Sequence, residues 1–211
     1  FNSNSTTAST KRMAAFAQDT LGTAWTVVPV TNVDAPPIIT ESVGLARATK
    51  STIALFEGGY DPLDGVIVSA FIDPGLDWMK ANLKVPAVGI AQAAMDEAAG
   101  HGRFVILSTT PGLAGAMTEL VERYGHAEAC AGIIGIEGDP YTVMGDPARL
   151  LVELSALLER AATELSAEAV IVGGGPLVDA ARQLSTTASV PLVEPVPAAA
   201  RALRRLIEER A

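Results

Sequence analysis

A single cysteine among 211 residues excludes an intramolecular disulfide and a thiolate metal cluster. Two histidines, His101 and His126, stand alone without carboxylate or cysteine spacing and make no metal site. Basic residues are scarce as well. Fifteen Lys and Arg against 24 Asp and Glu set a net charge of −9, the wrong sign for a protein that neutralises phosphates along nucleic acid. No apolar run approaches the roughly 18 to 20 residues of a spanning helix, so the mean hydropathy of +0.31 is assigned to core Ala and Val and no membrane partner is expected. No signal peptide or lipidation motif is visible, and a reducing cytoplasm is the expected compartment. The chain opens at Phe1 without a methionine, so a few residues of its first strand are expected to precede it.

What is present is a core. Hydrophobic residues make up 49% and charged ones 18%, which excludes disorder, and the length suits one large domain or two of about 100 residues. Short Val/Ile-rich runs alternate with longer Ala/Leu/Glu-rich stretches, the pattern of strands buried on both faces between amphipathic helices. The fold class is therefore α/β with a mainly parallel sheet. Strands are predicted at Thr26–Val30, Gly65–Ala70, Ala87–Ile90, Arg103–Leu107, Gly132–Ile136, Ala169–Val172 and Leu192–Val193. Helices are predicted at Thr7–Leu21, Ser42–Glu57, Leu76–Leu83, Ala91–Ala99, Leu113–Tyr124, Pro147–Leu165, Leu177–Leu184 and Pro197–Glu209.

A weak internal repeat organises these elements. Val66-Ile67-Val68 recurs as Val170-Ile171-Val172, 104 residues on, and Val85-Pro86-Ala87-Val88 recurs as Val190-Pro191-Leu192-Val193, 105 residues on. The same register brings Ser5-Thr6 onto Thr109-Thr110, each opening a loop between a strand and a helix. Three matches in one register favour duplication over shared strand vocabulary. The expectation is two like α/β halves, residues 1–95 and 96–211, related by a pseudo-twofold, with the C-terminal helix packing back on the first half. Ligands of open α/β sheets bind beyond the carboxyl ends of the strands, so the paired loops are expected to converge on one cleft.

At Asn2-Ser3-Asn4-Ser5-Thr6, Asp73-Pro74-Gly75-Leu76, Gly89-Ile90-Ala91-Gln92-Ala93-Ala94-Met95 and Arg103-Phe104 leading to Thr109-Thr110, the chain resembles the aspartate/glutamate racemase superfamily and within it the hydantoin racemase branch. Ser3 stands where the family's Asn-Pro-Asn-Thr loop has proline. The resemblance implies two like α/β subdomains with the active site between them. It also implies carbon-acid deprotonation and reprotonation by two cysteines, one from each half, without metal or organic cofactor. Thiols suit such work because their surroundings tune their pKa.

Here the chemistry departs from the family. Where hydantoin racemases read Ala-Cys-Phe-Gly-Asp-Pro-Gly, this chain reads Ser69-Ala70-Phe71-Ile72-Asp73-Pro74-Gly75, placing Ala70 at the first cysteine. Where they read Gly-Cys-Ala-Gly-Met, it reads Gly173-Gly174-Gly175-Pro176-Leu177, placing Gly174 at the second. Both thiols are absent, and Cys130 is expected to be a small buried core residue just before a strand. Ser69 and Phe71 beside Ala70, and Gly175 and Pro176 after Gly174, are expected to bind substrate. The arylmalonate decarboxylases, single-cysteine relatives, imply that the scaffold also supports decarboxylation through an enolate.

The groups left to stabilise negative charge are the hydroxyls and backbone N–H groups of Asn4-Ser5-Thr6 and Thr109-Thr110, which otherwise serve as helix caps. Glu194, at a strand's carboxyl end, is the first candidate for a replacement acid or base, and Glu41, after Pro36-Pro37, is the second, with an exposed helix cap as its bland reading. Asp73 is expected to cap the helix beginning near Leu76. Gly173-Gly174-Gly175-Pro176 lacks the lysine and spacing of a phosphate loop and reads as a tight turn that lets backbone approach a ligand. Three functions stay open. One is a cofactor-independent isomerase, decarboxylase or lyase acting on a small carboxylate or cyclic ureide or imide. The others are a catalytically silent binder of an anionic metabolite and a cysteine-replaced variant of a racemase. A homo-oligomer is expected in each case.

Overall fold

The computed structural model describes residues 1–59, 62–173 and 177–210, and the chain forms two units, Phe1–Ala93 with Val196–Ala211, and Ala94–Pro195. The first unit contains α1 (Thr7–Leu21), α2 (Ser42–Glu57), β1 (Val66–Val68), α3 (Leu76–Asn82), β2 (Ala87–Gly89) and the start of α4 (Ile90–Ala99). The second contains β3 (Phe104–Ser108), α5 (Ala114–Arg123), β4 (Cys130–Gly135), α6 (Pro140–Gly145), α7 (Pro147–Glu164), β5 (Ala169–Gly173), α8 (Val178–Ser185) and β6 (Leu192–Val193). The last helix, α9 (Pro195–Glu208), belongs mainly to the first unit. It packs so tightly there that a Cβ on Gly65 would come within 2.7 Å of Leu203 Cδ1.

In the second unit the strand order is β4-β3-β5-β6, all pairs parallel. The two inner strands are buried at every position, as their unbroken apolar runs require. α7 covers one face with Leu150, Leu154, Leu158 and Ala161, spaced by four, four and three residues, packed in one cluster with Val105, Leu107, Val170 and Val172.

The first unit repeats this order. β1 pairs with β2 in parallel, Val66 opposite Ala87 and Val68 opposite Gly89. On its other side the Phe1 amino group donates to Ile67 O at 3.0 Å and Ser69 N to Phe1 O at 2.8 Å. Asn2 N then donates to Val30 O at 2.8 Å and Asn32 N to Asn2 O at 3.0 Å, so residues 26–31, 1–2, β1 and β2 lie side by side. The repeat register therefore matches the four strand positions of one unit to those of the other.

Two expectations change. Thr26–Val30 is not a laddered strand: the segment is joined to its neighbour by an isolated bridge, Asn2 to Thr31. Helix α6 is additional: Pro140 occupies its first turn and the Asp139 carboxylate accepts from Thr142 N at 2.8 Å and Thr142 Oγ1 at 2.9 Å. Those bonds hold the exposed Asp139 carboxyl below its usual range.

Candidate functional site

The Asn2–Thr6 loop leaves its strand held by side-chain amides. Asn2, 1% exposed, donates through Nδ2 to Asn4 Oδ1 at 2.9 Å and Thr10 Oγ1 at 3.0 Å, while its Oδ1 accepts from Asn4 N at 3.2 Å. Asn4 Oδ1 accepts again from Thr6 N at 3.0 Å. The carboxamide oxygen of Asn4 is thereby committed, while its N–H groups have no partner among the described residues. The Ser5 hydroxyl likewise has none.

Thr6 behaves differently from the sequence expectation. It sits at the N-cap of α1, yet its side chain caps nothing and instead donates its proton to Pro37 O at 2.7 Å. That hydroxyl is left with accepting lone pairs only. Ser5 N is engaged similarly, donating to Pro36 O at 3.1 Å. The Pro36-Pro37 segment therefore determines which donors of this loop stay free, a contact between residues some 31 positions apart that no local motif announces. Beneath the loop, Ser3 Oγ and Asn32 Oδ1 are buried without partners.

At the carboxyl end of β1, Ala70 stands half-buried in a turn, its carbonyl accepting from Ile72 N at 2.8 Å and Asp73 N at 2.9 Å. Ser69 and Phe71 on either side are buried. Asp73 does not cap α3, whose N-cap is Gly75 with no side-chain bond. Its carboxylate turns to the start of α4, accepting from Ala91 N at 3.0 Å and Gln92 N at 2.9 Å. The correction has a steric cause: Asp73 takes φ +47, which points it away from α3, and Gly89 leaves free the space its carboxylate occupies. The corresponding helix of the repeat, α9, begins Pro195-Val196-Pro197, so two of its first three residues carry no N–H to satisfy.

In the second unit the loop after β3 is organised by Ser108, a residue the sequence reading passed over. Its buried Oγ accepts from Thr110 N at 3.0 Å and lies 3.1 Å from Thr110 Oγ1, while Thr110 makes no side-chain cap to the 3-10 turn Pro111–Leu113. Thr109 is 4% exposed and its hydroxyl has no hydrogen-bond partner among the described residues. A hydroxyl with its proton unspent, on a residue otherwise buried, is a candidate oxyanion donor. Gly174, Gly175 and Pro176 lie outside the described residues.

The replacement acid and base candidates are placed as follows. Glu194 follows β6 and pairs with Arg182, Oε2 to Nε at 3.1 Å. Glu41 is exposed at the N-cap of α2 and makes no side-chain cap. Cys130 is not a core residue but opens the edge strand β4 half-buried, 3.7 Å from Gly132 O, with burial pushing its thiol pKa up and away from a reactive thiolate. His101 is exposed, and His126 bonds through Nε2 to Asp96 Oδ1 at 2.7 Å, tying α4 to the turn after α5. Among the described residues no group of three His, Cys, Asp or Glu is placed to hold a metal.

The family model for Asp/Glu/Hydantoin racemase matches residues 1–203. A hydantoin racemase of Paenarthrobacter aurescens is 31% identical to this chain over 98% of its length and 89% of the relative's. An allantoin racemase of Klebsiella pneumoniae superposes with TM-score 0.88 at 27% identity, covering 99% of this chain and 86% of that one. An allantoin racemase structure from Pseudomonas fluorescens superposes with TM-score 0.93 over 99% of this chain and 89% of that one, a likeness of fold at 21% identity.

Proposed function

The chain belongs to the Asp/Glu/hydantoin racemase family, and from that premise we propose that it acts on a small carboxylate or a cyclic ureide or imide through an enolate-like intermediate, without metal or organic cofactor. Hydantoin and allantoin, named in its relatives, are both cyclic ureides with a carbon-bound hydrogen beside a carbonyl. Removing that hydrogen puts negative charge on the carbonyl oxygen. The observation that carries the reading is the hydroxyl of the buried residue Thr109, without a partner among the described residues, in a loop where Ser108 Oγ is spent on Thr110. Asn4 and Ser5 supply free donors in the matching loop of the first unit. Losing one such donor costs on the order of 10² to 10³ in rate.

The two-thiol route is closed to this chain, since Ala70 and Gly174 carry no transferable proton. Glu194 and Glu41 remain the proposed acid–base groups, and the reaction is an isomerisation, decarboxylation or elimination. A second reading, a binder of small anions that does no chemistry, is favoured by the Arg182–Glu194 pair, which occupies the better placed of the two carboxylates. Incubation with hydantoins, allantoin, amino acids and malonates in deuterium oxide separates the two. Polarimetry, α-deuterium incorporation and released CO₂ are followed without added cofactor. Exchange or turnover supports the enzyme, whereas calorimetric binding without either establishes the binder.

A further inference from the structure

The turn that carries Ala70 is bonded to α4 by the side chain of Asp73. Asp73 lies three residues beyond, is 5% exposed, and accepts two backbone N–H groups at the first turn of α4. Its own amide, with that of Ile72, holds the Ala70 carbonyl. Any shift of the Asp73 carboxylate therefore pulls on residue 70 through a two-bond hinge. The carboxylate fits only because position 89 is glycine, since a Cβ there would fall on its Cγ and both oxygens. Gly89 has no positive φ, so its lack of a side chain answers a demand for space and not for backbone conformation. The left-handed φ of +47 at Asp73 carries strain that these charge-assisted bonds hold in place.

We propose that Asp73 and Gly89 act together as a positioning lock, in which the carboxylate clamps the Ser69–Gly75 turn to α4 and so sets the place and direction of the side chain at position 70. This rests on the reading that position 70 faces the reacting carbon. The lock also spends the free amides of α4 on an internal carboxylate, so that helix end is not offered to a substrate anion. Asp73 touches no substrate in this account and acts through residue 70.

The test uses the chain's own economy of cysteine. In a C130S background, A70C supplies one reporter thiol, and the unmodified chain, with Cys130 alone, is the control for general loosening. Alkylation of the reporter thiol by iodoacetamide should quicken about tenfold in D73N, which keeps the volume but cannot accept both N–H groups, while Cys130 alkylation in the control chain carrying D73N stays as it was. G89A, which removes no polar group, should reproduce the effect by displacing the carboxylate. In a D73A background the added G89A should change the rate by less than about twofold, because the new Cβ enters vacated space. Unchanged reporter rates in both D73N and G89A, equal acceleration at Cys130, or additive effects in D73A/G89A would each overturn the lock. Protection of the reporter thiol by a bound hydantoin tests the underlying reading separately: without protection the site assignment fails while the lock stands.

Discussion

In a 211-residue polypeptide that begins at Phe1, the amino group of that residue offers the most quantitative test of the fold. It donates to Ile67 O at 3.0 Å from a part-buried position, and loss of hydration lowers its pKa from 8.0 to about 6. The folded state therefore binds fewer protons than the unfolded state between pH 6 and 8, and stability rises with pH across that window. Below about pH 6 both states are protonated and the full penalty is present; above pH 8 neither is, and it vanishes. A shift of two pH units corresponds to about 3 kcal/mol, a large share of a domain's net stability. Nα-acetylation removes the charge while keeping the N–H donor, and a neighbouring cavity of about 310 Å³, bordered by Trp25, Val28, Leu55, Phe56 and Leu203, leaves room for the added group. Urea denaturation from about pH 5 to 8.5 should show the free amine gaining about 3 kcal/mol over the acetylated chain, a difference in which the two histidines cancel. Parallel pH profiles for the two forms would refute the argument.

Three further outcomes follow from the structure. Thr109→Val should lower ligand affinity or turnover by on the order of 10²-fold in the assays above, whereas Thr6→Val should act mainly on stability, by about 1 kcal/mol, because its proton is already given to Pro37 O. Joint A70C and G174C substitution should create or greatly raise racemisation of a hydantoin by polarimetry, and A70C alone should support one-sided protonation only. Leu154→Ala, at a fully buried position of α7 against β3 and β5, should cost about 2 to 5 kcal/mol by urea denaturation.

Much of the architecture was legible because its signals are local. α1 and α2 run between the residues predicted for them, since periodic apolar positions and the breaks at Gly22 and Gly58 are written in neighbouring residues. The repeat of about 104 residues foretold that the two units share a strand order, because strands of one register occupy like places in a duplicated sheet. The Asp139-Pro140 start of α6 was also present, a capping residue before proline, and was passed over beside the stronger Asp146-Pro147 start of α7. The candidate residues Ala70 and Thr109 came from motif resemblance, which identifies a loop but not the partners of its atoms.

Those partners are non-local, and only the fold assigns them. Nothing near Asp73 in sequence distinguishes a cap on α3 from a cap on α4. The choice depends on Gly89, 16 residues away, leaving a space beside the amides of Ala91 and Gln92. Thr6 has the residue type of a donor, but Pro37 takes its proton; Thr109 has the same type and keeps its own. Glu194 has the residue type of a base, but only the fold brings Arg182 to within 3.1 Å of its carboxylate. Residue types and their periodicity thus determined the elements, the repeat and the chemical groups on hand. Which of those groups remain free to act was decided by tertiary contacts, because a hydrogen bond or ion pair, once made inside the fold, must be broken before the same atom can serve a ligand.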